Sequence, residues 1–437
     1  MSTKNWGIVG GGVMGMTLAH RLSQQGHKVT IFEAAPELGG LVSPWSMNGV
    51  EWDKFYHVIL LSDLRTRNIL KDIGLDDKIQ WVETKTGFYM NGKLYSMSDT
   101  IEFLKFPTLN LIDKFRLGLT IIVASKIKNW TRLEKKPVTQ WLRKWSGTRT
   151  FNKIWLPLLR AKLGESYQRT SAVFIWATIQ RLYGARKSGL KKEMFGYVPG
   201  GYKQVIKMFK EKLLSEGVTI NTNRAAKEVR TSADKKPAVY FNDGSSHEFD
   251  EVIVTLPSGI AAKLCPELTN EEVKRLGKIE YLGVICVAVL LDKSISPFYI
   301  TNITDSWVPF TGVIEMSALV DKEQYFGGDS LVYLPKYVGS DDPMFHQSDE
   351  EIRSYFLDNF KKMYPWLTDN NIKFAGVARA RHVITVAQLN YSDNLPGVKT
   401  SIPGISIINT SHIKDGTLNV NETVRVAETK LEEILTP

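Results

Sequence analysis

Gly10, Gly12 and Gly15 stand in G-x-G-x-x-G spacing, and Glu33 comes 18 residues after the last of them. Glycines so spaced can hold a pyrophosphate. Gly10 permits a tight turn, Gly12 lets phosphate approach the main chain, and Gly15 lets a helix pack closely on a strand. A carboxylate at Glu33 is placed to accept both hydroxyls of a ribose, which favours FAD or NAD over NADP. These residues need particular supports. Residues 5–9 read as a short buried strand, and residues 16–25 place Leu18, Ala19 and Leu22 on one helical face. Gly26-His27 closes that helix, and residues 28–32 form a second strand that ends at Glu33. Strand, loop, helix, strand and acid in this order make a βαβ dinucleotide unit. Its helix N-terminus offers N–H groups and a partial positive charge to the phosphates.

The residues just after Glu33 separate FAD from NAD. The segment Ala34-Ala35-Pro36-Glu37-Leu38-Gly39-Gly40 resembles the fingerprint of the flavoprotein superfamily of amine oxidases, protoporphyrinogen oxidases and phytoene desaturases. In that family the Gly-Gly pair lets the backbone pass close to the flavin diphosphate. An Arg commonly succeeds the pair, but Leu41 stands here, so either another cation meets the phosphates or backbone amides suffice. Three further segments carry the resemblance. Gly196-Tyr197-Val198-Pro199-Gly200-Gly201-Tyr202 marks the chain's return to the FAD domain. Residues 225–229 resemble the strand whose backbone meets the adenine, with Ala226 where the family usually has Val. Residues 404–411 and 417–424 resemble the protoporphyrinogen-oxidase ending, in which a strand finishing in small polar residues approaches the ribityl chain. A helix then points its N-terminus at the flavin pyrimidine, where it would stabilise negative charge on reduction. The resemblance makes Asn409, Thr410, Asn421 and Thr423 the candidate flavin contacts; an ordinary helix cap is the alternative. No Cys lies near the C-terminus, so the FAD is expected to be non-covalent.

The resemblance implies an α/β fold in which a Rossmann-like FAD-binding domain of amine-oxidase type is interleaved with a mixed α+β substrate domain. The FAD domain would use residues 1–85, 197–260 and 372–437. Residues 86–196 would form a helical substrate or lid domain, and residues 261–371 a substrate domain with a mixed sheet. The strand-like residues 52–59 are crowded with aromatics, and Ser62 or Asp63 would cap the helix after them. By the resemblance the stretch 53–57 lies near the isoalloxazine ring, so His57 is a candidate catalytic residue beside its plain reading as a structural histidine. Arg160 and His382 are further candidates by position. Arg160, with Lys162 and Arg181, could hold an anionic substrate, although solvated or ion-paired cations read equally well. Strands are expected at 284–291, 312–316 and 330–335, with Lys336 after the last as a solvated lysine.

Composition excludes several alternatives. The 437 residues are 43% hydrophobic and 23% charged, as in an ordinary globular protein long enough for two domains. The net charge of +10 is spread along the chain and mixed with acids, without an aromatic-interleaved basic motif, which speaks against nucleic acid. No apolar run approaches the roughly 20 residues of a membrane span. The basic amphipathic stretch 109–130, with Leu111, Ile112, Phe115, Leu119, Ile122 and Val123, reads as a cover for its own domain or as a peripheral membrane contact. No secretory signal is expected, since the N-terminal apolar run is the glycine fingerprint itself. Cys265 and Cys286 form no C-x-x-C and no zinc spacing, so no metal is expected, and a reducing cytoplasm is the simplest compartment. Oligomeric state is left open.

The activity these readings imply is transfer of a hydride from a C–H of a small molecule, in one reading an anionic one, to flavin N5. Two rivals use the same fold otherwise. One is a reduced-flavin-dependent isomerase resembling UDP-galactopyranose mutase, which would act on a nucleotide sugar without net redox change. The other is a flavin-binding protein without turnover.

Overall fold

Residues 2–98, 100–184 and 193–436 are described in the computed structural model, apart from the side chains at 100, 183 and 184. Residues 185–192 of the expected helical region lie outside them. Five short strands meet in one parallel sheet. Its order is Thr219–Asn221, Lys28–Phe32, Asn5–Val9, Glu251–Val254 and Ile405–Ile407. Strands buried on both faces carry continuous apolar sequence, as residues 6–9 and 252–254 do at the centre, while the edge strand Thr219–Asn221 is more polar and part-exposed. Ile8, Ile31 and Ile253 point to one side, where Leu18, Phe209 and Ala427 cover them from the helices Val13–Gln24, Gly201–Ser215 and Val420–Leu435. Val9, Phe32, Val252 and Ile405 point to the other. That side is closed by the helix Ser258–Leu264 and by an antiparallel sheet of Ala226–Thr231, Pro237–Phe241 and Ser246–Glu248.

The second large sheet has seven strands, in the order Ile372–Thr385, Tyr281–Leu291, Ser330–Gly339, Gly312–Glu315, Ile300–Ile303, Thr86–Met90 and Lys93–Ser96. It is mixed, because Ile300–Ile303 runs parallel to Thr86–Met90 while the other neighbours are antiparallel. The last two strands form a hairpin whose turn residues Asn91 and Gly92 both have positive φ, as a tight Asn-Gly turn requires. Tyr281–Leu291 is buried along its whole length. Ile285, Val287 and Val289 pack with Phe356 and Phe360 of the helix Asp349–Met363, while Val284, Cys286 and Ala288 face Trp52 and Tyr333. Between residues 111 and 184 the chain is mainly helical and packs around Trp141, Phe151, Trp155 and Trp176. Among the described residues no helix is long and apolar enough to cross a membrane.

Three local expectations are corrected. Residues 52–59 are not one strand. Val50–Asp53 pairs with Pro44–Met47, a loop comes next, and only Ile59–Leu60 pairs again. Tertiary bonds hold the loop instead, with the Asp53 carboxylate accepting the Tyr202 N–H at 2.8 Å. The helix Leu64–Asp72 is capped by neither Ser62 nor the Asp63 side chain. Asp63 turns back to accept the Leu60 N–H at 2.9 Å and to pair with Arg181 at 3.1 Å. The strand expected to end at Pro335 continues to Gly339. Gly312–Glu315 pairs with it only at Val332 and Tyr333, so Pro335 stands past the end of that ladder and its missing N–H is tolerated. Lys336 is therefore in the strand, donating to the Pro309 carbonyl at 2.9 Å, and its burial lowers its pKa.

Candidate functional site

The glycine loop forms a cradle. The Gly10 N–H donates to the Phe32 carbonyl at 2.9 Å and joins the first two strands at their C-terminal ends. A β-carbon on Gly15 would fall on the Gly10 carbonyl, so the helix begins hard against the strand. At Gly12 a β-carbon would meet nothing within 4 Å, and no side chain caps the helix there. The Gly39-Gly40 turn runs alongside, with the Gly39 N–H bonded to the Gly11 carbonyl at 2.9 Å. The Glu33 carboxylate accepts the N–H groups of Gly11 at 2.6 Å and Ala35 at 2.8 Å, which fixes it at the strand end. An open, uncapped helix N-terminus between two glycine turns, with an acid beside it, fits a dinucleotide.

The C-terminal candidates have separate positions. Ala226 lies next to a bulge in the small antiparallel sheet, part-exposed and packed against the buried cluster that includes Val229 and Phe241. Asn409 is buried, and its carboxamide donates to the Leu256 carbonyl at 2.8 Å and accepts the Ser411 N–H at 2.9 Å, tying two loops together. Thr410 lines a small cavity together with Phe174, Val383, Ile413, Thr417 and Leu418. Asn419, which sequence reasoning passed over, caps the last helix by accepting the Glu422 N–H at 3.0 Å. Asn421 caps a different helix, Leu64–Asp72, accepting the N–H groups of Arg65 at 2.9 Å and Thr66 at 3.3 Å. The Thr423 hydroxyl donates back to the Asn419 carbonyl at 2.9 Å. Of these residues, Thr410 is the one on the cavity wall.

The three catalytic candidates stand among different neighbours. Arg160 is half exposed, 3.8 Å from Glu165 and near the Tyr167 ring. His382 packs edge-on against Tyr281, and burial, then the Arg381 charge, lowers its pKa. His57 lies against Tyr202, with ring centroids 5.1 Å apart. Its Nδ1 is buried without a hydrogen bond, 3.6 Å from the Asp53 carboxylate. Sequence reasoning missed the tyrosines around it. The Tyr56 and Tyr337 hydroxyls are 2.8 Å apart, and Tyr333 donates to the Asp53 carbonyl at 2.5 Å. Burial pushes the Tyr56, Tyr333 and Tyr299 phenols well up, so they stay protonated. The Lys162 ammonium lies 3.4 Å over the Tyr337 ring. Even spacing placed Tyr333 and Tyr337 on one strand face, which was a legible signal; nothing local tied that face to Tyr56.

Residues 15–386 match the family of flavin containing amine oxidoreductases. Among curated proteins the chain is 23% identical over 382 residues to the 15-cis-phytoene desaturase of Capsicum annuum. That match takes in 82% of this chain but spans only 64% of the plant protein's length. Solved structures share the fold at low identity. An oxidoreductase from Methanosarcina mazei superposes with a TM-score of 0.75 at 18% identity, covering 98% of this chain and all of that one. Reduced UDP-galactopyranose mutase gives 0.76 at 14%, covering 99% and 96%. The chain belongs to the flavin-containing amine oxidoreductase family, and FAD is the cofactor its glycine cradle accommodates.

Proposed function

We propose that the protein is an FAD-dependent oxidoreductase that removes a hydride from a C–H of a small molecule. FAD, held without a covalent bond, supplies the hydride acceptor. Both cysteines support non-covalent attachment, since Cys265 and Cys286 are fully buried with their thiol pKa values raised by burial, Cys265 to about 12. The observation that carries the reading is the meeting of two tyrosines. Tyr56 comes from the segment after the Gly39-Gly40 turn and Tyr337 from the seven-stranded sheet, and their hydroxyls meet. Two phenols joined by a hydrogen bond, with apolar neighbours, can lay a substrate flat and help to exclude water. His57 adjoins Tyr56, and with its Nδ1 buried beside the Asp53 carboxylate, the other ring nitrogen is the one left to orient a polar substrate group. Lys162, over Tyr337, is positioned to draw an anionic one. No observation at residue level favours an isomerase over this reading, because the likeness to the mutase is one of fold.

The test is anaerobic. The purified holoprotein should release its flavin on denaturation, and a true substrate should bleach the visible flavin band before oxygen is admitted. Tyr337→Phe and Lys162→Met should change KM or the bleaching rate while flavin content stays the same. A protein that must be reduced beforehand and then turns over without consuming electrons would establish the isomerase instead. No response of bound flavin to any amine, polyprenoid, porphyrinogen or sugar derivative would leave a flavin-binding protein without turnover.

A further inference from the structure

We infer that the outer face of the helix Leu111–Lys126 docks on an anionic lipid bilayer. Residues along a helix advance by about 100° each, so the two faces can be compared directly. Asp113, Leu117, Thr120 and Ala124 fall on one side and are buried. The opposite side carries Leu111, Ile112, Phe115 and Ile122, which are 76%, 69%, 71% and 54% exposed. Leu104, on the preceding helix Thr100–Lys105, is exposed as well. A helix that only covers a core has its apolar side inward. Here Asp113 and Thr120 face in beside Leu117 and Ala124, while Leu111, Ile112, Phe115 and Ile122 face out.

The charge around this patch selects the partner. Lys105, Arg116, Lys126 and Lys128 are all exposed. The only acids between residues 101 and 132 are Glu102 and Asp113. Glu102 accepts bonds from Ser96 and Ser98, and Asp113 pairs inward with Arg149 at 3.2 Å. Bulky apolar side chains on a convex helix, rimmed by cations whose nearby acids are engaged elsewhere, match acyl chains below anionic headgroups. The helix lies on the surface and does not span, consistent with its 16 residues. Its inner side is fastened to the helix Val173–Gly184, where Gln180 donates to the Ala124 carbonyl at 2.8 Å. The latter helix contributes Phe174 to the cavity at Thr410. Docking would therefore hold that cavity one helix away from the bilayer, whatever reaction the flavin carries out.

Co-sedimentation of the holoprotein with vesicles tests it, using phosphatidylcholine alone and phosphatidylcholine mixed with phosphatidylglycerol. The wild type should pellet with the mixed vesicles and less with the neutral ones. Ile112→Glu and Phe115→Glu should each weaken partitioning about tenfold, and Lys126→Glu with Lys128→Glu should remove the preference for the anionic lipid. Unchanged flavin absorption and unfolding temperature in each variant would show that the fold is kept. The inference is overturned if the wild type stays in solution with both vesicles, or if the variants pellet as it does. It is equally overturned if the apolar substitutions instead dissociate a self-associated species present without lipid, which would make the face a contact between copies of this chain.

Discussion

A β-carbon on Gly15 would lie 1.9 Å from the carbonyl oxygen of Gly10, whereas one on Gly12 would meet nothing within 4 Å. The two glycines therefore serve different ends. Gly15 seats the helix on the strand, and Gly12 keeps the space above the helix N-terminus open. Gly15→Ala should destabilise the protein by about 2 kcal/mol and deplete its flavin. Gly12→Ala should leave the unfolding temperature nearly unchanged yet weaken FAD binding on the order of tenfold. Flavin-to-protein ratios and calorimetry would separate the two. Wild-type flavin affinity in Gly12→Ala would mean that the diphosphate does not pass there.

Glu33 accepts two main-chain N–H groups, from Gly11 and Ala35. Charged hydrogen bonds of this kind are worth about 1.5–3 kcal/mol each. Glu33→Gln keeps the shape and loses the charge, so FAD affinity should fall roughly 10- to 100-fold, as read by titrating the apoprotein. An equal loss of the fold in denaturant would assign Glu33 to stability alone.

The Tyr333 hydroxyl donates to the carbonyl of Asp53, whose carboxylate in turn holds Tyr202. Tyr333→Phe leaves that buried carbonyl without its partner and should cost about 1–3 kcal/mol in urea unfolding. Because the bond fixes the loop that carries Tyr56 and His57, the variant should also alter the rate at which substrate bleaches the flavin. A change in stability with no change in rate would separate the loop from the reaction.

Asn421 caps the helix Leu64–Asp72, and Asn419 caps the helix that contains Asn421. Asn421→Ala should therefore lower stability by about 1 kcal/mol while leaving the flavin spectrum as it is. A shifted spectrum or a shifted midpoint potential would return Asn421 to the flavin.

Two buried groups give stability opposite slopes with pH. Burial pushes the His412 imidazole down from 6.5 to about 4, so between those values the unfolded chain binds the extra proton. Stability present above pH 6.5 is lost as pH falls through 4. Burial pushes the Glu315 carboxyl up from 4.5 to about 7. Its contribution is complete below 4.5 and is lost as pH rises through 7. Each effect is on the order of 3 kcal/mol. His412→Asn should flatten the acid limb and Glu315→Gln the alkaline one, measured by denaturant unfolding from acid to alkaline pH. Limbs unaltered by these changes would mean that neither group titrates from a buried site.

The dinucleotide half was legible because its signals are local. A turn that requires Gly10, a helix start that excludes a side chain at Gly15, and an acid at a strand end are decided within some thirty residues. Long-range pairing was not legible. Nothing near Asn421 states that it will cap a helix 355 residues earlier in the chain, or that Tyr56 will meet Tyr337 across 281 residues. Periodicity identified the apolar side chains of the 111–126 helix, but only its packing showed that they point outward. Local conformation depends on neighbours in sequence, so the sequence alone determined the dinucleotide cradle, and the family resemblance of the segment after Glu33 named FAD as its cofactor. Which polar groups are consumed by distant partners, and which remain to meet a substrate, depends on contacts that exist only once the two sheets and the helices have come together.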